Sequence, residues 1–412
     1  MRAGITILVC FGVMAGSAVW AEDVTALVGQ KGVHSVVSFG AKGDGVTDDT
    51  KAFQSALKAA DKDGGGIAFV PTGDYMIKGH LNIPTGVTLE GVNRVAGTLS
   101  TIKGSKLLAV EGRGSEEGKP FIFLNGGATV KGVAIFYPEQ DRKEPVPYPW
   151  CIAGAEYDCT VIDVFLVNPW NGIDFGTRGG GRHLIQNVYG QPLHTGIFVD
   201  NCYDVGRIQN VHFWPFWEGK LMDYTLKNAT AFRFGRTDWE YIDNSFCICY
   251  KIGFHFIEGK AGPGNAVITN SGPDGCPTGL LVENCQLHAG IAWTNGQFMG
   301  PLVVAETNKG PVKFSNTGFW GPGGSTADLK GDGTVTLNAC HFGTNQKDKP
   351  TIVADCRRFT MIGCDFRDEK NKHIVLGPNV QSAIIMGNQF RTKLKMENNS
   401  KGKLEMGLNL ED

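Results

Sequence analysis

Four ionisable side chains stand at matching places in short alternating segments: Asp174 in "NGIDFG", Arg233 in "TAFRFG", His255 in "IGFHFI", and Asp200 closing "TGIFVD". Successive side chains of a β-strand face opposite ways. Ile173 and Phe175, Ile197 and Val199, Phe232 and Phe234, and Phe254 and Phe256 therefore share an inner face, and Asp174, Phe198, Arg233 and His255 an outer one. His194 and Asp200 sit at even steps from Phe198 and join the outer face.

Such a column suits the cleavage of a glycosidic bond, where one carboxylic acid protonates the leaving oxygen and a second carboxylate activates water. Asp174 and Asp200, one strand spacing (~4.8 Å) apart and displaced by two residues (~7 Å), have backbones about 8 Å apart, which fits the inverting geometry. Arg233 beside Asp200 favours its ionised form as the base and leaves Asp174 as the acid. The same residues also suit elimination from a uronate. Arg233 or a bound cation neutralises the sugar carboxylate, His255, His194 or Arg233 takes the C5 proton, and Asp174 and Asp200 can hold Ca²⁺. In a third reading the aspartates only bond turn amides, and the chain binds glycan without turning it over.

These groups meet only if their segments stack. A four-residue unit recurs along the chain: "VIDV" at Val161, "IQNV" at Ile185 and Ile208, "IDNS" at Ile242, "VENC" at Val282, "FSNT" at Phe314, "LNAC" at Leu337, "MIGC" at Met361 and "IMGN" at Ile385. Most steps are 23 or 24 residues. A fixed period of this size, with period-two alternation and glycine-rich turns, predicts a parallel β-solenoid. Asn187, Asn210, Asn244, Asn284 and Asn316 then form a ladder, with Val188, Val211, Ser245, Cys285, Thr317, Cys340 and Cys364 as a file of small inward residues beside it. The steps from Ile208 to Ile242 and on to Val282 are longer, and their insertions carry Trp214, Trp217, Trp239 and Glu258. These four, with His194, are the candidate substrate contacts, the tryptophans as platforms for sugar rings. Arg236, Asp238 and Glu240 are alternative actors close by.

Thirty-nine basic residues against 41 acidic ones give no bias toward nucleic acid, and 57 glycines with 19% charged residues favour an all-β chain rich in tight turns. Met1 to Ala21 reads as a cleavable secretory signal, which places the protein outside the cytoplasm, secreted or periplasmic. No later stretch is long and apolar enough to span a membrane. The cysteines read as buried free thiols, Cys247 and Cys249 lacking a partner at zinc spacing, so no metal and no cofactor is expected beyond Ca²⁺ in the elimination case. After Gly43-Asp44-Gly45, Thr47 or Asp48 can cap a helix with Phe53, Ala56, Leu57 and Ala60 on one face. That helix would cover the open end of the stack. The expected layout is one domain over 33–395, its cap at 33–60, and a loose tail at 396–412.

"FGAKGDGVTDDTKAFQSAL" from Phe39, followed by "GGGIAFVPTGDYMI" from Gly64, resembles the amino-terminal signature of the pectate lyase superfamily. That resemblance implies a right-handed parallel β-helix. It also implies a polysaccharide as substrate, since the superfamily includes rhamnogalacturonase-like and polygalacturonase-like hydrolases, lyases, epimerases and phage tailspikes. The paired-aspartate motifs of polygalacturonases are not found. The resulting expectation is a glycoside hydrolase acting on an acidic, pectin-like glycan, with Asp174, Asp200, Arg233 and His255 as its catalytic group. A polysaccharide lyase stands second, and a non-catalytic carbohydrate-binding β-helix third.

Overall fold

The computed structural model describes residues 30–94, 102–321, 326–344, 348–367 and 372–412. The expected leader, Met1 to Ala21, lies outside them. The chain is an all-β parallel solenoid of about 14 turns. One face is a 13-stranded parallel sheet, and the return path of each coil builds a 21-stranded and a 6-stranded sheet. Pairing follows the repeat closely: Ile185 aligns with Ile208, Ile208 with Ile242, Ile242 with Ile268, and Ile268 with Trp293. The file continues through Phe314, Leu337, Met361 and Ile385. Every member is buried, so the period is set by one large apolar side chain per coil pointing into the cylinder.

The asparagine ladder forms where each coil turns a corner. Asp163, Asn187, Asn210, Asn244, Asn270, Asn295 and Asn316 all take left-handed backbone angles, with φ between 48° and 56°. Asn and Asp tolerate this conformation better than other non-glycine residues. The amides then bond along the stack, Asn210 Nδ2 to Asn187 Oδ1 at 2.8 Å and Asn244 Nδ2 to Asn210 Oδ1 at 3.1 Å. Asn284 and Cys285 are not in these columns. "VENC" ends a strand of the 13-stranded sheet, Thr278–Val282, on another wall. The coil after Ile242 is accordingly of ordinary length, and most of its supposed insertion is the next coil, with strands Ala266–Thr269 and Gly272–Asp274.

Five strands of the 13-stranded sheet carry the column of ionisable residues: β1 (Trp150–Gly154), β2 (Asn171–Phe175), β3 (Thr195–Val199), β4 (Thr230–Phe234) and β5 (Ile252–Phe256). Their inner faces hold the expected residues, all buried. Phe232 stacks on Phe254 with ring centres 4.5 Å apart, and Phe234 on Phe256 at 4.9 Å.

Helix α1 spans Thr50–Lys62 and buries Ala52, Phe53, Ala56, Leu57 and Ala60. It packs on strands Val33–Ser35, Gly66–Val70, Leu81–Ile83 and Val87–Gly91. The acidic loop before it is held together by its own carboxylates. Asp49 accepts from the amides of Lys42 (2.7 Å) and Gly43 (3.1 Å), Asp44 from those of Val46 and Thr47, and Asp48 from that of Thr50. The amides of Thr47 and Val46 draw the Asp44 carboxyl down to about 2. At the other end, the segment read as a loose tail continues the stack. Met396–Asn398, Lys403–Gly407 and Leu410–Glu411 each pair in parallel with the coil before. Main-chain pairing needs no apolar repeat, which is why the polar sequence concealed it.

Phe254 lies between Phe232 and Trp293, at 4.5 and 4.9 Å, with no exposure to solvent. Phe254→Ala is expected to lower unfolding free energy in denaturant titrations by about 3–5 kcal/mol. A loss under about 1 kcal/mol would mean that this stack collapses around the gap and is not close-packed.

Candidate functional site

Across the 13-stranded sheet, Phe123 pairs with Ala153, Ala153 with Asp174, Asp174 with Phe198, Phe198 with Arg233, and Arg233 with His255. The outward column inferred from alternation is therefore formed on β2 to β5. Its shape follows from side-chain size. Ala153 and Asp174 are short between the rings of Phe123 and Phe198, and a cleft of about 350 Å³ lies above them.

The cleft is lined by Asp174, Asn171, Trp150, Thr177, Arg178, His194, Thr195 and Arg233, together with Glu116, Glu117 and Pro120. Asp174 is 1% exposed. Its Oδ1 accepts from the amides of Gly176 (2.9 Å) and Thr177 (2.8 Å), and its Oδ2 has no partner among the described residues. Arg178 lies over the Phe123 ring at 5.1 Å and Arg233 over that of Phe198 at 5.4 Å. Neither guanidinium is paired with a carboxylate among the described residues. Arg178 and Arg233 bring two guanidinium groups to a cleft that also holds Asp174, Glu116 and Glu117, and each can pair with an acidic group of a ligand.

His194 sits just before β3 with its ring stacked on Trp170, centres 4.9 Å apart. The Thr195 amide donates to Asn171 Oδ1 at 3.2 Å, which turns that oxygen toward His194 Nδ1, also at 3.2 Å. Nδ1 thus carries the hydrogen, and Nε2 keeps its lone pair. Burial pushes the His194 pKa down, Glu116 pulls it up by less, and Arg233 adds a smaller downward push that leaves it lowered. The ring is neutral at pH 7 and can accept a proton.

The other sequence candidates lie outside the cleft lining. Asp200 follows the last residue of β3, where strand alternation no longer governs direction, and turns into the corner of the coil. Its Oδ1 accepts from the amides of Asn201 (2.7 Å) and Arg236 (2.6 Å). A Cβ on Gly235 or Gly259 would come within 2.5 Å of it. Asp174 therefore lines the cleft and Asp200 does not. His255, beside Arg233 in the column, pairs with Glu283 at 2.8 Å. Trp214 packs on Phe165 and Phe216, and Trp217 is buried beneath Arg142. Trp239 is exposed, its amide donating to Asn265, and Glu258 sits on a short hairpin where it accepts from Asn284. Of the alternative actors, Glu240 is buried against His183, and Arg236 pairs with Asp238.

Sequence reasoning missed Trp150, Asn171, Arg178, Glu116 and Glu117. Arg178 and Asn171 flank Asp174 within one coil, and the run "EGRGSEEGK" at 111–119 is a charged insertion among the first coils. That insertion was the available signal.

Residues 33–137 match the family described as rhamnogalacturonase A/epimerase, pectate lyase-like. Over those residues the chain is similar to a pectate lyase-like family, and the fold that carries them is a parallel β-helix. Alginate lyase 7 of Azotobacter vinelandii is 54% identical over 46 residues, which is 11% of this chain and 5% of that protein. Mannuronan C5-epimerase AlgE4 of the same organism is 37% identical over 79 residues, 18% of this chain and 14% of that one. The chain thus spans a small fraction of these relatives. Among solved structures, the A-module of the Azotobacter vinelandii mannuronan C-5 epimerase AlgE6 superposes with a TM-score of 0.51 at 14% identity, covering 92% of this chain and 99% of that one. The pre-mature gene product 12 of bacteriophage phi29 gives 0.54 at 12%, covering 91% and 55%. No helix among the described residues is long and apolar enough to cross a membrane.

Because Arg233 lowers the His194 pKa and Glu116 raises it, the two charges can be removed separately. In a histidine NMR titration, Arg233→Ala is expected to move the His194 midpoint up and Glu116→Gln to move it down. Midpoints unchanged in both variants would mean that neither charge faces the ring.

Proposed function

We propose that the protein is an enzyme acting on a uronate-bearing polysaccharide, and that it works by removing the C5 proton of a sugar bound in the cleft. The observation that carries this reading is the meeting of His194, with Nε2 free, and the unpaired guanidinium groups of Arg178 and Arg233 in one cleft. The sugar carboxylate pairs with a guanidinium, which stabilises the negative charge that develops when C5 loses its proton. Nε2 of His194 takes that proton. In elimination the C4–O bond then breaks, its electron pair leaves with the oxygen, and a C4–C5 double bond forms. The leaving oxygen takes the proton of the Asp174 carboxyl, whose Oδ2 has no other partner among the described residues, and the C5 proton stays on His194. Reprotonation at C5 from the other face would instead invert that carbon. The named activities of the alginate lyase and mannuronan epimerase relatives support acidic-sugar chemistry of this kind, although those matches cover only short segments.

Hydrolysis is the second reading. It is favoured by Glu116 and Glu117, which line the same cleft as Asp174 and can supply the second carboxylate that Asp200 does not.

Incubation with alginate and pectic polymers separates the readings. Elimination gives ultraviolet absorbance from an unsaturated uronate, epimerisation changes C5 configuration without chain cleavage, and hydrolysis gives new reducing ends without that absorbance. His194→Gln and Asp174→Asn are expected to lower kcat by about 10²–10⁴-fold with the fold intact by circular dichroism. Arg233→Ala is expected to act on both kcat and KM. Wild-type rates in the His194 and Asp174 variants would remove the site assignment. Activity lost on chelation and restored by Ca²⁺ would give the neutralising role to a cation.

We also infer that α1 covers the amino-terminal end of the coil stack, as its buried apolar face supports. Leu57→Asp should then increase self-association in sedimentation. An unchanged monomer fraction would argue against a covering role.

A further inference from the structure

Three side chains that the cleft does not use converge inside the wall of the solenoid. His183 lies just before the strand Leu184–Gly190, Cys202 follows β3, and Glu240 opens the strand Glu240–Asp243. Bridges from Gly180 to Cys202 and from Cys202 to Thr237 align the same corner of three successive coils. One donor atom from each residue lies within 4.8 Å of the others. His183 Nε2 is 3.0 Å from Glu240 Oε1, and Cys202 Sγ is 3.9 Å from His183 Nδ1. All three are buried, at 3%, 1% and 0% exposure.

We propose that His183, Cys202 and Glu240 are a binding site for a divalent transition ion of the zinc class, joining three coils from within. This inference does not rest on the reading of the cleft. Around tetrahedral zinc, with bonds of about 2.0–2.3 Å, neighbouring donor atoms are roughly 3.3–3.7 Å apart, so an ion held by one nitrogen of His183 would draw together three donors that already lie within 4.8 Å of one another. One thiol, one imidazole and one carboxylate form a donor set for zinc and its neighbours. Calcium and magnesium require oxygen throughout.

Two further observations separate the cluster from an ordinary ion pair. Glu240 Oε2 is fully buried and has no partner among the described residues, so the contact with His183 satisfies only half of the carboxylate. Gly206 packs against the cluster, and a Cβ there would come within 2.3 Å of both Glu240 Oε2 and His183 Cε1, so only glycine at that position leaves these two side chains where they are.

The test uses the intact protein, treated with chelator, desalted and titrated with Zn²⁺ against a chromophoric competitor and separately with Co²⁺. One equivalent of each is expected, with a thiolate-to-cobalt charge-transfer band in the near ultraviolet. Cys202→Ser should abolish that band. Glu240→Gln, which keeps the shape and the bond to His183, should weaken Zn²⁺ binding by at least about 10-fold while leaving the other thiols untouched. Failure of the wild type to take up one equivalent would overturn the proposal, as would uptake and a cobalt band undiminished in both variants. The wild-type titration decides the matter even if Cys202→Ser fails to fold.

Discussion

Parallel main-chain hydrogen bonding between coils holds the whole molecule in register, and every other feature inherits that register. Each strand of the 13-stranded sheet lies one spacing above the last, with its inner residues filling the cylinder. A slip of one residue would exchange inner and outer faces and bring Asp174, Arg233 and His255 into the core. The apolar files from Ile185 to Ile385 and from Phe232 to Phe254 prevent such a slip, because charged groups cannot replace them there without a large desolvation cost.

The corners carry the second constraint. A coil can close only if the chain turns sharply, and on this wall it does so through a residue with positive φ in nearly every rung. Asparagine suits that conformation and also offers an amide that can bond to the rung below, so one residue type meets two demands. Where the column departs from asparagine, with Asp163 at one end and Ala339, Gly363 and Gly387 at the other, the backbone angle persists while the side-chain ladder changes or stops. Conformation therefore determines the column, and hydrogen bonding follows from it.

The cleft arises from an interruption in this regular surface. Short side chains at Ala153 and Asp174 leave room between the flanking aromatic rings, and the early insertion contributes Glu116 and Glu117 to the lining. Arg178 and Arg233 lie over those rings instead of pairing with acids. A guanidinium held by a ring keeps its charge available to a ligand, whereas one bound to a carboxylate, as Arg182 is to Asp158, does not.

Sequence alone determined the solenoid, the inner and outer faces of β2 to β5, and the order Asp174, Phe198, Arg233, His255 along the outer column. Alternation and period are local properties, repeated often enough to be read without coordinates. It failed at the strand ends and across the cleft. Asp200 lies one residue beyond β3, where direction is set by the turn, and its carboxylate binds the amides of Asn201 and Arg236. Asn284 copied the motif on a different wall, because a four-residue pattern does not say which face of the coil it occupies. Glu116 and Glu117 share a cleft with His194, and His183 meets Cys202 and Glu240, only through the winding of the chain. Those separations carry no periodic signal, so only the tertiary structure, which converts distance along the chain into adjacency between coils, could decide them.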